Sequence, residues 1–168
     1  MKSTIEGIAH VFGDNLDTDQ IYPGQYLELA NEEDIKLHAM EGADSEFVKN
    51  FKAGDIITGG TNFGCGSSRE HAIITLKAVG TSAILAESFA RIFYRNGINL
   101  GIPLLVCPGI SSGVAKGDIL KIDLDKGLVE NQTQGTKMTF QPISDYVVEI
   151  LKAGGIKPLV KKQLSGQQ

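Results

Sequence analysis

The stretch Gly59-Gly60-Thr61-Asn62-Phe63-Gly64-Cys65-Gly66-Ser67-Ser68-Arg69-Glu70-His71-Ala72 decides how this chain is read. It holds four glycines, a thiol, two serines, an arginine and a histidine within fourteen residues. Before it, Phe51 to Asp55 form a turn into Ile56-Ile57-Thr58, a short β-rich run. After it, Ala72, Ile73, Leu76 and Val79 recur at helical spacing, and Gly80 is placed to stop that helix. Ser82 to Leu85 is then the next strand. The sequence of strand, glycine loop, helix and strand is a βαβ step, which predicts an α/β fold.

A glycine loop between a strand and a helix presents backbone N–H groups to an anion, and the helix start adds positive potential. The loop lacks the GxxxxGK pattern followed by serine or threonine of nucleotide loops, and neither serine sits in a GxSxG elbow. Ser67, Ser68 and Arg69 together suit a carboxylate, which accepts hydrogen bonds from a hydroxyl and bidentate contact from a guanidinium. The same residues also fit a plainer arrangement: serine caps on the helix and an ion pair from Arg69 to an acid. Cys65 and His71 are too few for a metal site, since zinc and iron–sulfur clusters need fuller ligand sets. A lone thiol is ordinarily a small buried hydrophobe. His71 also fits a helix-start or interface role, and Cys107 beside Pro108 a structural one.

The remaining features bound the answer. The 168 residues suit one domain over 1–168, with a polar tail from about 163 to 168. A formal net charge of -4 and no basic stripe argue against nucleic-acid binding. No segment is apolar and long enough to suggest a membrane span, and the N-terminal residues lack the pattern of a signal peptide. Two cysteines do not make a disulfide framework, so a cytoplasmic setting is expected.

Along the rest of the chain, Ile5 to Phe12 predicts a first strand, ended by Gly13-Asp14-Asn15. Asn15 to Asp19 lies on a connection and carries Asp17 and Asp19, and Ile21 to Gly24 is a turn. Asn31 caps a short helix whose face holds Ile35, His38 and Ala39, with Gly42 interrupting it. Phe89 to Asn96 is a helix stopped near Gly97, and Leu104 to Cys107 a strand. In the last third, Ile119 to Leu124 and Lys137 to Phe140 predict a small antiparallel meander beside the α/β part. Ser144 caps a final helix, Asp145 to Ala153, ended by Gly154-Gly155. Lys157, Lys161 and Lys162 then belong to a solvated helix end.

Three ordered motifs carry a resemblance. They are Asp14-Asn15-Leu16-Asp17-Thr18-Asp19, the glycine loop continuing to Ala72, and Ser88-Phe89-Ala90-Arg91-Ile92-Phe93-Tyr94-Arg95-Asn96. Together they resemble the aconitase superfamily over nearly the whole chain, and within it the small subunits of 3-isopropylmalate dehydratases. The resemblance implies a swivelling β/β/α small domain with a mixed sheet or barrel-like core, made as a separate polypeptide. It implies a hydro-lyase active only with a large iron–sulfur subunit, as heterodimer or heterotetramer. The [4Fe–4S] cluster is expected on that subunit, with none bound by this chain. The implied substrate is 2-isopropylmalate, isomerised to 3-isopropylmalate in leucine biosynthesis. Related dehydratases acting on homoaconitate or dimethylmalate are alternatives, as is a non-catalytic binding module. Alone, such a chain is expected to be able to self-associate.

The resemblance also assigns roles. Ser67 matches the base that removes the carbon-bound proton, Ser68 a neighbouring substrate contact, and Arg69 the substrate-carboxylate clamp. Asp19 joins the catalytic set, with Asp17 and Thr18 in support; an Asx turn accounts for the two acids equally well. Gly64, Cys65, Gly66 and His71 support the loop, and Arg91 and Arg95 the site or the subunit interface. Tyr26, Leu27, Glu28 and Leu29 fall where the family has its specificity loop. Glu28 would repel an additional carboxylate and the leucines would receive an isopropyl group, which favours isopropylmalate.

Overall fold

The strands differ in how their faces are hidden, and that difference organises the molecule. Ile56–Gly59 and Ala83–Ala86 are buried at every residue. Such runs belong to parallel strands covered on both sides. Ile119–Asp123 and Leu128–Asn131 alternate buried and more exposed residues, as antiparallel strands with one wet face do. The computed structural model describes residues 3–166. In chain order its strands are β1 (Thr4–Val11), β2 (Ile56–Gly59), β3 (Ala83–Ala86), β4 (Leu104–Val106), β5 (Ile119–Asp123), β6 (Leu128–Asn131) and β7 (Thr136–Thr139).

All seven lie in one mixed sheet of order β4-β3-β2-β1-β5-β6-β7. β1 is the junction: it pairs parallel with β2 (Ala9 opposite Ile56) and antiparallel with β5 (Ile8 opposite Ile119). The meander is therefore not a sheet beside the α/β part, as expected, but its continuation. On one face Ala9, Ile56, Leu85, Leu105, Leu120, Ile122 and Val129 form a single apolar cluster that runs from β4 to β6. Beyond β7, the Gln141 N–H donates to the Val106 carbonyl at 2.8 Å. That bond joins opposite edges of the sheet, so the sheet curls into a barrel-like core.

The other face of β2, β3 and β4 is covered by helices. In chain order the helices are α1 (Thr18–Ile21), α2 (Glu32–Lys36), α3 (Phe47–Asn50), α4 (Glu70–Ala78), α5 (Arg91–Asn99), α6 (Ile110–Gly113), α7 (Asp145–Ala153) and α8 (Ile156–Ser165), and all but α6 pack on that face. Ile57, Ile84 and Leu104 of the sheet meet Ile73, Leu76, Phe93, Ile98, Ile150 and Leu159 of the helices in the second core cluster. Each fully buried side chain of this size contributes about 1.5–3 kcal/mol of transfer free energy. α6 instead places Ile110 in the first cluster. Asn31 and Ser144 cap α2 and α7 as expected: their side chains accept from Glu33 N–H at 2.8 Å and Val147 N–H at 3.2 Å.

Four local expectations change. Gly97 does not stop α5 but lies buried inside it, because a Cβ there would stand 2.5 Å from Leu104 Cδ1. The glycine serves close helix–sheet packing. Gly42 follows the end of α2, and its reason is similar: a Cβ would stand 2.7 Å from Gln20 Cα. The Asp19 connection contains a helical turn, α1. Finally, α7 is not the last helix. The chain turns at Gly154 and Gly155, with φ of 89° and 135°, and α8 takes in Lys157, Lys161, Lys162 and the start of the expected polar tail. The last two residues of that tail lie outside the described residues.

β1, β2 and β3 are parallel, so the loops after Val11, Gly59 and Ala86 leave from the same edge of the sheet. In open α/β sheets that carboxyl edge is where ligands bind. Each of the three sequence motifs spans one of those loops and runs into the helix that follows it.

Candidate active site

The glycine loop is held from both sides by backbone. From the first motif, Asn15 N–H donates to Thr61 O and Thr18 N–H to Cys65 O, both at 2.8 Å. In return Gly64 N–H donates to Leu16 O at 2.7 Å. From the third motif, Ser88 O accepts from Phe63 N–H at 3.0 Å and Phe63 O accepts from Ala90 N–H at 2.9 Å. Asp14 Oδ1 also takes the Thr61 N–H at 2.8 Å. Gly64 and Gly66 have φ of 84° and 100°, conformations that glycine adopts freely. A Cβ on Gly64 would enter the Phe93 ring.

This stitching opens a cleft of about 200 Å³. Thr18, Gly66, Ser67, Ser68 and Arg69 form its polar side, and Ile73, Ala90, Ile92 and Phe93 an apolar wall, with Arg91 and Asn96 also lining it. The Ser67 hydroxyl is exposed to the cleft, and Thr18 Oγ1 lies 3.4 Å from it. The same Thr18 hydroxyl donates to Ser67 O at 3.0 Å, so a buried side chain fixes the serine backbone.

Arg69 opens α4 at the N-cap position with extended backbone, and no side chain caps the helix. Neither serine is spent on capping, which leaves both hydroxyls available to a ligand. The other half of the plainer arrangement does occur. Arg69 Nη1 donates to Asp19 Oδ1 at 2.8 Å and to Tyr22 O at 3.0 Å. Asp19 Oδ1 also accepts the Gly24 N–H at 2.9 Å. The Arg69 hydrogen bond, then that of Gly24, holds the Asp19 carboxyl below its ordinary value despite some desolvation. Arg69 thus has its guanidinium anchored through one nitrogen, with no hydrogen-bond partner for the others among the described residues. The N–H donors of a guanidinium form a planar fork whose geometry matches that of a carboxylate.

The other expected residues divide. Asp17 caps α1: its carboxylate accepts Gln20 N–H at 2.8 Å while Gln20 Oε1 accepts Asp17 N–H at 3.1 Å. His71 stacks on Tyr22 with ring centroids 5.3 Å apart, and its Nε2–H donates to Leu29 O at 3.0 Å. It ties the segment 22–29 to α4. Tyr26, Leu27, Glu28 and Leu29 do not line the cleft: Tyr26 and Leu29 pack on the core, and Leu27 and Glu28 are exposed. Arg95, a turn beyond Arg91, is off the lining, and neither arginine has an ion pair among the described residues.

The apolar wall was missed from sequence, although Ile92 and Asn96 share a helix face by their i, i+4 spacing. Cys65 is half-buried in the loop; Cys107 is buried, and burial with nearby Glu87 pushes its thiol up to about 11. Among the described residues no three His, Cys, Asp or Glu side chains converge as a metal site. The described side chains therefore do not supply the ligand set of an iron–sulfur cluster. No described helix is long and apolar enough to cross a membrane.

Comparison with known proteins places this architecture. Residues 45–108, from α3 through the glycine loop to the end of β4, match the family described as the aconitase C-terminal domain. That is the class the fold and cleft define. The small subunit 1 of 3-isopropylmalate dehydratase from Methanopyrus kandleri is 49% identical over 97% of this chain and 96% of its own length. The isopropylmalate/citramalate isomerase small subunit of Methanocaldococcus jannaschii is 49% identical over 100% of both chains. A crystal structure of 3-isopropylmalate dehydratase from the same organism has a TM-score of 0.93 at 43% identity, covering 98% of this chain and 97% of that one. The chain belongs to the family of 3-isopropylmalate dehydratase small subunits.

Proposed function

We propose that this chain is the small subunit of a hydro-lyase that interconverts 2-isopropylmalate and 3-isopropylmalate, as a step of leucine biosynthesis, with a large subunit completing the site. The carrying observation is that Ser67, Ser68 and Arg69 share one cleft with an apolar wall. In the forward direction the hydroxyl leaves C2 and a proton leaves C3, giving the alkene isopropylmaleate and water. Water then returns with its hydroxyl on C3 and its proton on C2. Ser67 Oγ takes the carbon-bound proton and later returns one. A serine hydroxyl is a weak base, so its anion needs the loop N–H groups and the charge of Arg69 around it. Arg69 binds a substrate carboxylate, Ser68 adds a hydrogen bond, and Asp19 aims the guanidinium. Ile73, Ile92 and Phe93 offer apolar surface to the substituent.

The [4Fe–4S] cluster of the reaction is assigned to the large subunit, in keeping with a chain whose two cysteines lie in separate parts of the fold. Two free thiols also accord with a cytoplasmic setting. Citramalate is a second substrate under this reading, because one full-length relative is named for both activities. A methyl in place of an isopropyl group changes an apolar contact that is weakly discriminating. The test is anaerobic turnover by the chain reconstituted with its large subunit, with each subunit alone and a Ser67→Ala complex alongside. 2-Isopropylmalate, citramalate, homocitrate-pathway and dimethylmalate substrates are the arms. Activity only in the complete complex, lost in Ser67→Ala, supports the reading. Activity on a substrate outside the first two replaces the substrate assignment, and no activity with an intact cluster and stable complex favours a non-catalytic module.

A further inference from the structure

The segment from Tyr22 to Leu29 does not line the Ser67 cleft, yet it touches every anchor of Arg69. Tyr22 O accepts from Arg69 at 3.0 Å, and Gly24 N–H donates to Asp19, the other Arg69 partner, at 2.9 Å. Within the segment the Tyr22 hydroxyl donates to Tyr26 O at 2.6 Å. Its far end is held by His71 through Leu29 O. The aim of the guanidinium therefore depends on where this segment sits.

The segment is clamped from outside by residues that have no place in the reaction. The Tyr26 ring stacks on His38 with centroids 3.5 Å apart and planes 14° from parallel. The Tyr26 hydroxyl donates to Glu41 Oε1 at 3.1 Å, while His38 Nδ1–H donates to Glu41 Oε2 at 2.6 Å. One carboxylate thus serves both rings of the stack. Glu41 is itself fixed to the other side of the site, because its neighbours bond α1: Met40 N–H donates to Ile21 O at 2.7 Å and Gly42 N–H to Gln20 O at 3.0 Å. Gly42 can have no side chain there, since a Cβ would press on Gln20 Cα and Asp19 O. The turn that carries Glu41 is thereby held on the helix that carries Asp19.

We infer that His38 and Glu41 are positioning residues: they brace the Tyr22–Leu29 segment against α1 and so hold Arg69 at the angle that captures the substrate carboxylate. The inference rests on the proposed role of Arg69. Its kinetic signature is a change in substrate affinity, because the brace touches no reacting atom. In the reconstituted two-subunit enzyme, Glu41→Ala and His38→Ala raise KM for 2-isopropylmalate about fivefold or more with kcat within about twofold. Glu41→Gln, which keeps an acceptor for the Tyr26 hydroxyl, recovers part of the loss.

A residue that only supported the fold would lower the melting temperature and leave KM of the folded enzyme unchanged. A KM at the wild-type value in folded Glu41→Ala overturns the inference, as does a fall in kcat with KM unmoved. Amide hydrogen exchange on the isolated chain separates this from the functional reading. In Glu41→Ala the amides of Tyr26, Leu27 and Leu29 exchange faster while those of α4 do not. Should the wild-type complex turn over no substrate, the proposed function falls and exchange alone decides. Unchanged protection of those three amides would then overturn the brace.

Discussion

Arg69 Nη1 and Asp19 Oδ1 are 2.8 Å apart, but the arginine is 17% exposed and the aspartate 70%. The pair is lopsided: a nearly enclosed cation is steered by an anion in solvent. Such a pair adds little to global stability, because water screens the outer charge, and its value lies in orientation. Asp19→Asn is expected to leave the melting temperature within about 2 °C of wild type and to raise KM in the reconstituted enzyme. The pH dependence has a definite sign. Arg69 first and Gly24 second hold the Asp19 carboxyl below its ordinary 3.8. The contribution is complete above that value and is lost as pH falls through the lowered one. A carboxyl-carbon NMR titration should find Asp19 ionised where ordinary aspartates are half-protonated, and Arg69→Ala should bring its midpoint back up.

Thr18 is 3% exposed and its hydroxyl donates a hydrogen bond to the Ser67 carbonyl at 3.0 Å. Thr18→Val keeps the volume and removes the donor. The loss to stability is about 1 kcal/mol, the usual net value of one hydrogen bond. With Ser67 as the proposed base, the loss to kcat is larger, between about tenfold and 100-fold, because small displacements of a reacting group are costly. Thr18→Ser, which retains Oγ, should restore most of it. Chemical denaturation and steady-state kinetics on the same three proteins check both parts.

Gly64 tests the packing that shapes the cleft. Its φ of 84° and the Phe93 ring beneath it both exclude a side chain. Gly64→Ala is expected to destabilise by about 2–4 kcal/mol, from backbone strain and overpacking together. Phe93→Leu makes room, so the double variant should be less destabilised than the sum of the singles. Denaturant melts of the four proteins measure that coupling, and strict additivity would mean that the ring is not the obstacle.

Legibility followed the range of the interaction. α4 came out at Glu70–Ala78 because its apolar spacing and Gly80 are local signals, and the caps at Asn31 and Ser144 are local for the same reason. The glycine loop was legible from its composition as a connection from strand to helix, whereas the roles of Ser67 and Arg69 came from the resemblance and not from the residues alone. The β1–β5 pairing was not: nothing near Ile8 announces that Ile119 lies opposite it. Gly97 was mistaken for a stop because its purpose, contact with Leu104, belongs to another element. The apolar wall is also non-local, since Ile73 of α4 and Ile92 and Phe93 of α5 meet only in the folded cleft. Tyr26 to Leu29 were expected to meet substrate directly; in this chain the segment is held beside the cleft through Tyr22, Gly24 and His71.

The two thiols should behave differently, and the difference reports on the loop. Burial and the nearby Glu87 charge push Cys107 up to about 11, and its Sγ–H lies 3.6 Å from Thr139 O. At pH 8 only about one part in a thousand of such a thiol is thiolate, the reactive form. Cys65 is half-buried beside Gly66 and Ser67, with its own carbonyl holding Thr18 N–H. A disulfide-exchange reagent is expected to titrate one thiol in the native chain and two after denaturation. Peptide mapping should find the native label on Cys65. Labelling there is expected to abolish turnover in the reconstituted enzyme, since a bulky group displaces the loop that carries Ser67. Cys65→Ser, which adds no bulk, should retain most of kcat and resist the reagent. Loss of activity in Cys65→Ser before any labelling would give the sulfur itself a role in the site, and two thiols titrating in the native chain would mean that the barrel-like core opens at Cys107.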